Sequence, residues 1–481
     1  MKQPLSNLHI LILFLAFWCL LRASVAAYIP IMEFSEARYA EIARKLLLEP
    51  NWITLWYTDL MPFWGKPPLS SWAVATSFAL FGICELSARL PSLIATVATA
   101  VLVFHLIRRI LDEELAVSAA IVFLTLVLIV QAGGTVITDP LLTFLTTTIM
   151  VGFWLAVTQG QRYWGDAMWI ALGLGLLTKG PIALVLPGLA CGLWVALQGE
   201  WRRFFKAFHW VSGPILMLLV GVPWYLFAEQ ATSGFLEYFL VGEHFSRFLE
   251  PAWEGDPYGA VKDMPLGSIW VYLVVASAPW SLILVLAFVV PSWRAKTLGT
   301  LRATNRSWLV FLVCWALVPV AFFTPARNVL MTYVMPGMPA LAILTAIALQ
   351  HILNLRALAT TAVVIVALFG IGSVLSYQLY FDGHKYNQRP IIREYQRLAA
   401  SDPGTLVYTG GLRFSAMFYT ANEILFSRHI DRIHQDRTGT LYYAVRDRWY
   451  ESLRAFFGAS CDEMIRRNDV SLWYCPAARI P

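Results

Sequence analysis

Apolar positions fall into long blocks along the first three quarters of the chain. Runs that can cross a bilayer lie at 8–28, 88–107, 115–132, 140–158, 166–178, 182–198, 209–228, 267–290, 308–323, 330–350 and 357–378. A helix perpendicular to the bilayer needs about 20 apolar residues, so the shorter runs, 166–178 above all, predict helices with loose boundaries. The run LSSWAVATSFALFG (69–82) is shorter still and predicts an interfacial or re-entrant helix. From Tyr377 onward the blocks give way to short alternating segments. TLVYTG (405–410), EILFS (423–427), TLYYAV (440–445) and SLWYC (471–475) predict strands, and the stretches near 390–400 and 447–458 predict helices. The expected division is a membrane part, 1–376, followed by a small α/β domain, 377–481.

Composition agrees with a polytopic membrane protein: 58% of residues are hydrophobic, 14% are charged, and the mean hydropathy is +0.62. The formal charge of +6 bears on topology before it bears on partners, and no nucleic-acid partner is expected. If 69–82 does not cross, Arg108, Arg109, Arg162, Arg202, Arg203, Lys206, the 294–306 loop and Arg356 all share the side of Lys2. That is the positive-inside pattern. It predicts an α-helical fold of about 11–13 spans, 11 being the count the charges favour, with the amino terminus in the cytoplasm and the carboxyl terminus outside. Lys2 before an apolar core, with Ser24-Val25-Ala26 after it, also fits a cleaved leader, but the many spans that follow favour an uncleaved first span.

This orientation puts the loops 30–87 and 229–266 on the outer side, with most of the polar motifs. SEARYAEIARKLL (35–47) predicts an interfacial amphipathic helix with Ser35 able to cap it, Glu36 in its first turn, and Tyr39, Ile42 and Leu46 along one apolar stripe. Glu41 and Lys45 form an i,i+4 pair expected on a solvated face, while Glu36 and Arg38 stand where the chain leaves the bilayer. PFWGKPPLSSW (62–72) holds Lys66 in a rigid extended segment among belt aromatics, where a snorkelling lysine is the plain alternative. Asp139 before Pro140 has the look of a helix cap, and Lys179 in LTKGP that of another snorkelling lysine. Glu243, His244 and Arg247 share a turn in EYFLVGEHFSRFLEP, and Arg327 precedes a span containing Tyr333. Lysines and arginines on the outer face run against the topological bias, so a lipid phosphate or pyrophosphate is their natural partner.

The six cysteines lack metal-ligand spacing. Cys19, Cys84, Cys191 and Cys314 look like small apolar residues, whereas Cys461 and Cys475 sit in the expected outer domain, either as a disulfide or as two free thiols. No cofactor is required and no metal is indicated.

In this order and spacing, SEARYAEIARKLL, PFWGKPPLSSW, TDPLLTF, LTKGPIALVLPG and EHFSRF resemble the GT-C membrane glycosyltransferases related to the protein O-mannosyltransferases, most closely the lipid A aminoarabinose transferase branch. The resemblance covers roughly residues 10–345. It implies an enzyme of the bacterial cytoplasmic membrane that moves a sugar from a polyprenyl-phosphate donor to an envelope acceptor, lipid A, another glycan or protein, with inversion and at the outer face. Family members usually begin the helix after the first span with Asp-Glu-x-Arg-Tyr and write the proline motif Glu-Lys-Pro-Pro. Ser35 and Gly65 stand at those two carboxylate positions here. The implied donor-phosphate ligands are Arg38, Lys66, Arg247, Arg327 and Tyr333. Glu36 or Asp139 would orient or deprotonate the acceptor, with Ser35, Tyr39, Lys179, Glu243 and His244 as further site candidates. The competing readings are a lipid-linked sugar transporter or flippase and a catalytically silent relative that binds carrier lipid. A transporter should carry inverted repeats and ionisable groups at mid-membrane depth, and the inner parts of these spans carry almost none.

Overall fold

The structure is a computed structural model and describes residues 6–477 apart from 50, 251–252, 254, 260–262, 383, 385, 422–423, 428–438, 448–449, 452–453, 455–460 and 468–469. The first part is helical: α1 (Asn7–Tyr28), α2 (Ser35–Leu48), α3 (Leu69–Phe81), α4 (Glu85–Ile110), α5 (Glu113–Thr125), α6 (Val127–Ala132), α7 (Asp139–Gln159), α8 (Arg162–Lys179), α9 (Ile182–Gln198), α10 (Trp201–Ala207) and α11 (Ser212–Ala231). Beyond a π-helical stretch, Tyr238–Ser246, come Ser268–Ala276, Trp280–Val289, Pro291–Ala303, Arg306–Phe323, a 3₁₀ turn at Met331–Gly337, Met338–Leu349 and Leu355–Ser376.

All eleven apolar runs are helical, and the chain is a multi-span helical membrane protein. By length and composition, seven of the described helices suffice to cross, or eight if the pair Ser268–Ala276 and Trp280–Val289, bent by 95°, counts as one. Three runs fall short of that standard for local reasons. Leu126 divides 115–132 into α5 and α6, α9 has 17 residues, and α8 carries Arg162, Asp166 and Lys179 in its 18.

The breaks free backbone groups where no water can satisfy them, and they satisfy one another. Val127 N–H donates to Ala278 O at 3.0 Å, Trp18 Nε1 to Leu124 O at 2.9 Å, and Trp280 Nε1 to Thr125 Oγ1 at 2.8 Å. Trp18 and Trp280 are fully buried there, so α1 is part of the packed bundle. The short run 69–82 forms α3, a 13-residue helix packed against α2 and α4.

The carboxyl-terminal part carries a five-stranded sheet of β1 (Gly404–Thr409), β2 (Ile424–Ser427), β3 (Thr440–Arg446), β4 (Asp462–Arg467) and β5 (Val470–Cys475), in the order β2-β1-β3-β5-β4. β1 is parallel to both β2 and β3, and β5 is antiparallel to both β3 and β4. Four strands lie where the alternation puts them. β4, DEMIRR, is a polar edge strand with no alternating apolar face to betray it. The helix expected near 390–400 is Arg389–Ala399, whereas most of the one expected at 447–458 lies outside the described residues. Cys461 and Cys475 are disulfide-bonded.

This sheet unit docks onto the segment between α1 and α2. Tyr419 Oη accepts from Ile31 N at 2.8 Å, and Glu33 Oε1 accepts from both Ser415 N and Ser415 Oγ at 2.8 Å. Phe414 lies edge-on to Tyr57, their rings 4.9 Å apart.

Candidate active site

α2 is the wall on which the site is assembled. Ala37, Ala40, Ile42, Ala43 and Leu46 are buried, and the three alanines let the helix lie close against its neighbours. Two expectations about this helix are corrected. Phe34 occupies the cap position and makes no side-chain cap bond, so Ser35 is the first helical residue and caps nothing. Glu41 and Lys45 are not on a solvated face, because both are buried. Glu41 binds Arg44 through two bonds of 2.7 and 2.8 Å, and Lys45 reaches Asp59 at 2.5 Å. Burial this complete must be matched by pairing, since an isolated charge would cost several kcal/mol.

Glu36 is held by Arg89 of α4, a residue the motif reading passed over. Nε and Nη2 of Arg89 reach Oε1 and Oε2 of Glu36 at 2.8 and 2.9 Å, and Val136 N–H donates to Glu36 Oε1 at 3.1 Å. Arg89 also donates to Ala26 O, Ile29 O and Pro30 O, tying together the end of α1 and the start of α4. A lone arginine at the head of an apolar run was the available signal, because an ionisable group there requires a partner.

Arg38 points the other way, into an aromatic enclosure. It donates to Tyr258 O and lies 5.4 and 5.3 Å from the ring centroids of Tyr39 and Phe63. Tyr258 donates to Pro62 O at 2.7 Å and receives Trp64 N–H at 3.2 Å, which fixes the approach to the proline motif. A Cβ on Gly65 would lie 3.1 Å from the Phe63 ring and 3.5 Å from Tyr258, so the space beside this position belongs to those aromatic rings.

Lys66 does not snorkel. Its Nζ binds Glu243 and Gly65 O, and Arg247 Nη1 binds both oxygens of the same Glu243 at 2.8 Å and Asp256 at 3.3 Å. Burial opposes ionisation of Glu243, but Lys66 and Arg247 outweigh it and hold the carboxyl below its usual range. Nδ1 of His244 lies 2.6 Å from Phe239 O. Burial pushes the pKa of this histidine down, which keeps the ring neutral and makes Nδ1–H the donor to that carbonyl. Glu243 and His244 lie on the π-helical stretch, a geometry that recurs at functional sites.

Asp139 begins α7, but its side chain makes no cap bond. It accepts from Lys179 Nζ at 2.6 Å, and Lys179 lies 4.8 Å from the centroid of the Tyr333 ring. The plain alternatives of a cap and a snorkelling lysine therefore give way to a buried pair. Gly180 permits this approach: at φ +75° it turns the chain where any Cβ would strike Phe239 at 2.7 Å. The structure thus gathers Arg38, Tyr39, Lys66, Asp139, Lys179, Glu243, His244, Arg247 and Tyr333 at one end of the bundle. Arg327 stands apart, half-exposed and turned to Asp263 at 3.5 Å. Asp256 and Tyr258 join from the 229–266 loop without any sequence motif to announce them. Among the described residues no three His, Cys, Asp or Glu side chains gather to hold a metal ion.

Two of these cations retain bonding capacity. The buried Nε atoms of Arg38 and Arg247 have no acceptor among the described residues. Donors left in this state at the same end of a bundle fit an anion, and the planar guanidinium fits a phosphate best.

A family model described as dolichyl-phosphate-mannose-protein mannosyltransferase matches residues 7–239. The chain is 31% identical over 353 residues to the undecaprenyl phosphate-alpha-4-amino-4-deoxy-L-arabinose arabinosyl transferase of Edwardsiella ictaluri, covering 71% of this chain and 60% of that one. It is 31% identical over 319 residues to the protein of the same name in Erwinia tasmaniensis, covering 65% and 54%. It therefore spans less than two thirds of the length of these curated relatives. The crystal structure of ArnT from Cupriavidus metallidurans bound to undecaprenyl phosphate matches with a TM-score of 0.75 at 19% identity, over 98% of each chain, which shows a shared fold. With the helical bundle, the carboxyl-terminal sheet and the ordered motifs in place, the chain shares its fold with a solved GT-C enzyme and is similar in sequence to the protein O-mannosyltransferases and the lipid A aminoarabinose transferases.

Proposed function

We propose that this protein transfers a sugar from a polyprenyl-phosphate carrier to an envelope glycolipid of the lipid A type, at the outer face of the cytoplasmic membrane. In this reading 1–376 is the membrane part and 377–481 the outer domain. What supports it is the convergence of Arg38, Lys66, Lys179 and Arg247 at one end of the bundle, with two guanidinium N–H donors there lacking acceptors among the described residues. The relatives named for arabinosyl transfer from undecaprenyl phosphate point to the same donor class.

The acceptor oxygen attacks the anomeric carbon, the bond from that carbon to the phosphate oxygen breaks, configuration inverts, and polyprenyl phosphate leaves with the bonding pair. Lys66 and Arg247 stabilise the charge growing on the leaving phosphate, and Tyr333 lines the same space. Deleting one such stabilising group typically slows a reaction by about 10² to 10³. Both candidate bases are engaged, Glu36 by Arg89 and Asp139 by Lys179. The acceptor that suits this arrangement arrives already anionic, as a phosphate, and Asp139 with Lys179 orients it.

Mass spectrometry of envelope glycolipids from a deletion strain and its complemented partner tests the reading. A pentose- or hexose-bearing glycolipid should vanish on deletion and return with the wild-type chain but not with Lys66→Ala. Unchanged glycolipids across all three strains would overturn it.

A further inference from the structure

Away from that site, a cleft of about 310 Å³ opens between the turn joining α3 to α4 and the helix Arg389–Ala399. Its walls include Ile83, Cys84, Glu85, Arg389, Arg393 and Tyr419. Glu85 pairs with Arg389 at 3.3 Å and accepts from Tyr419 Oη at 3.0 Å, so its charge is spent. Arg393, one turn further along the same helix, is exposed and has no partner among the described residues. Two guanidinium groups against one carboxylate leave the cleft with one positive charge.

The adjoining surface is of the opposite character. Leu80 is 70% exposed, Phe81 64% and Ile83 41%, all at the tip where α3 turns into α4. Large apolar side chains bared together at the end of a membrane helix belong at the boundary between headgroups and acyl chains. Unsatisfied positive charge thus sits directly beside an exposed apolar tip. A molecule complementary to both has an anionic head and a hydrocarbon tail.

We propose that this cleft binds the headgroup phosphate of an anionic phospholipid from the surrounding leaflet, held by Arg393 and Arg389 while its chains lie against Leu80, Phe81 and Ile83. Such a lipid would join the membrane bundle to the sheet unit at their seam. Glu85 and Tyr419 lie on opposite sides of it, and Tyr419 also receives Ile31 N–H just ahead of α2.

Cys84, an exposed free thiol in the cleft wall, supplies the readout. The full chain is placed in nanodiscs of phosphatidylcholine alone or of phosphatidylcholine with phosphatidylglycerol, and alkylation of Cys84 by N-ethylmaleimide is followed by peptide mass spectrometry. A basic side chain at an anionic surface contributes about fivefold in affinity, so phosphatidylglycerol should slow labelling of the wild type by about that factor. Arg393→Gln removes an unpartnered guanidinium and leaves the Arg389–Glu85 pair intact, and it should label at nearly the same rate in both discs. Equal rates in the wild type, or equal slowing in Arg393→Gln, would overturn the proposal, the second because it would mark a general effect of surface charge. Protection by inorganic phosphate in phosphatidylcholine discs, matching that of phosphatidylglycerol, would also overturn it in favour of a free-phosphate site.

Discussion

Arg89 grips Glu36 with two parallel hydrogen bonds, Nε to Oε1 at 2.8 Å and Nη2 to Oε2 at 2.9 Å, across 53 residues of sequence. The same guanidinium bonds three carbonyls around the end of α1. Glu36 is thereby an anchor that fixes the first turn of α2, and Arg38 takes its direction from that anchor. Removing the guanidinium leaves a carboxylate without its charge partner, a change that typically costs about 3–5 kcal/mol. Arg89→Ala should therefore lower the thermal midpoint of the detergent-solubilised protein sharply. Adding Glu36→Gln to it should recover part of the loss, and additive losses in the double variant would contradict the pairing.

Lys66 and Arg247 compete for one carboxylate, so Lys66→Ala leaves Glu243 still bound to Arg247 through both oxygens. The fold should survive this change while phosphate stabilisation does not. We expect accumulation in the membrane at the wild-type level with glycolipid transfer lowered about 10² to 10³-fold. Asp139→Asn weakens the interaction with Lys179 and should reduce transfer as well. Full activity in both variants, measured on purified protein with a polyprenyl-phosphate sugar, would remove the cluster from the chemistry.

Ser35 stands at the position where the family resemblance leads one to expect an aspartate, yet it neither caps α2 nor makes a side-chain bond among those described. Ser35→Ala should thus cost less than the ~1 kcal/mol of a lost cap and leave transfer measurable. A dead but stably folded Ser35→Ala protein would make this hydroxyl a participant in the reaction.

Glu33 lies buried at the seam between α2 and the sheet unit. Burial pushes its pKa above the ordinary 4.5, against the bonds from Ser415 and the charge of Arg413. A carboxyl whose folded pKa is raised binds more protons in the native than in the unfolded state, so it costs stability as pH rises above its ordinary pKa. Docking of the sheet unit should accordingly weaken from about pH 4.5 upward. Glu33→Gln should flatten this dependence when hydrogen exchange of Phe414–Thr420 is followed against pH. An unchanged slope in the variant would assign the dependence to another group.

Cys461 and Cys475 close a loop with a sequence separation of 14, worth about 3 kcal/mol in the chain-entropy account. Reductant should lower the melting point of the wild type and leave Cys461→Ser unaffected. Alkylation of both thiols without reductant would contradict the bond.

Period and composition determined a great deal here, because burial in lipid and burial in a protein core leave the same apolar mark. All eleven apolar runs are helices, and four of the five strands lie where alternation puts them. The cations Lys66, Lys179 and Arg247 were also visible in the sequence, since a lysine or arginine at the end of an apolar run needs a partner. What each of them touches was decided only in three dimensions. Lys66 meets Glu243 from 177 residues away, and Lys179 meets Asp139 from 40. Arg89 was hidden at the head of an apolar run, and Glu41 and Lys45 passed for a solvated pair, because spacing along a helix says which residues share a face and nothing about what covers that face. Asp256 and Tyr258 come from a loop without periodicity. The identity of a charge's partner is a property of tertiary packing, where desolvation forces every buried charge to find one, and no local pattern records which it finds.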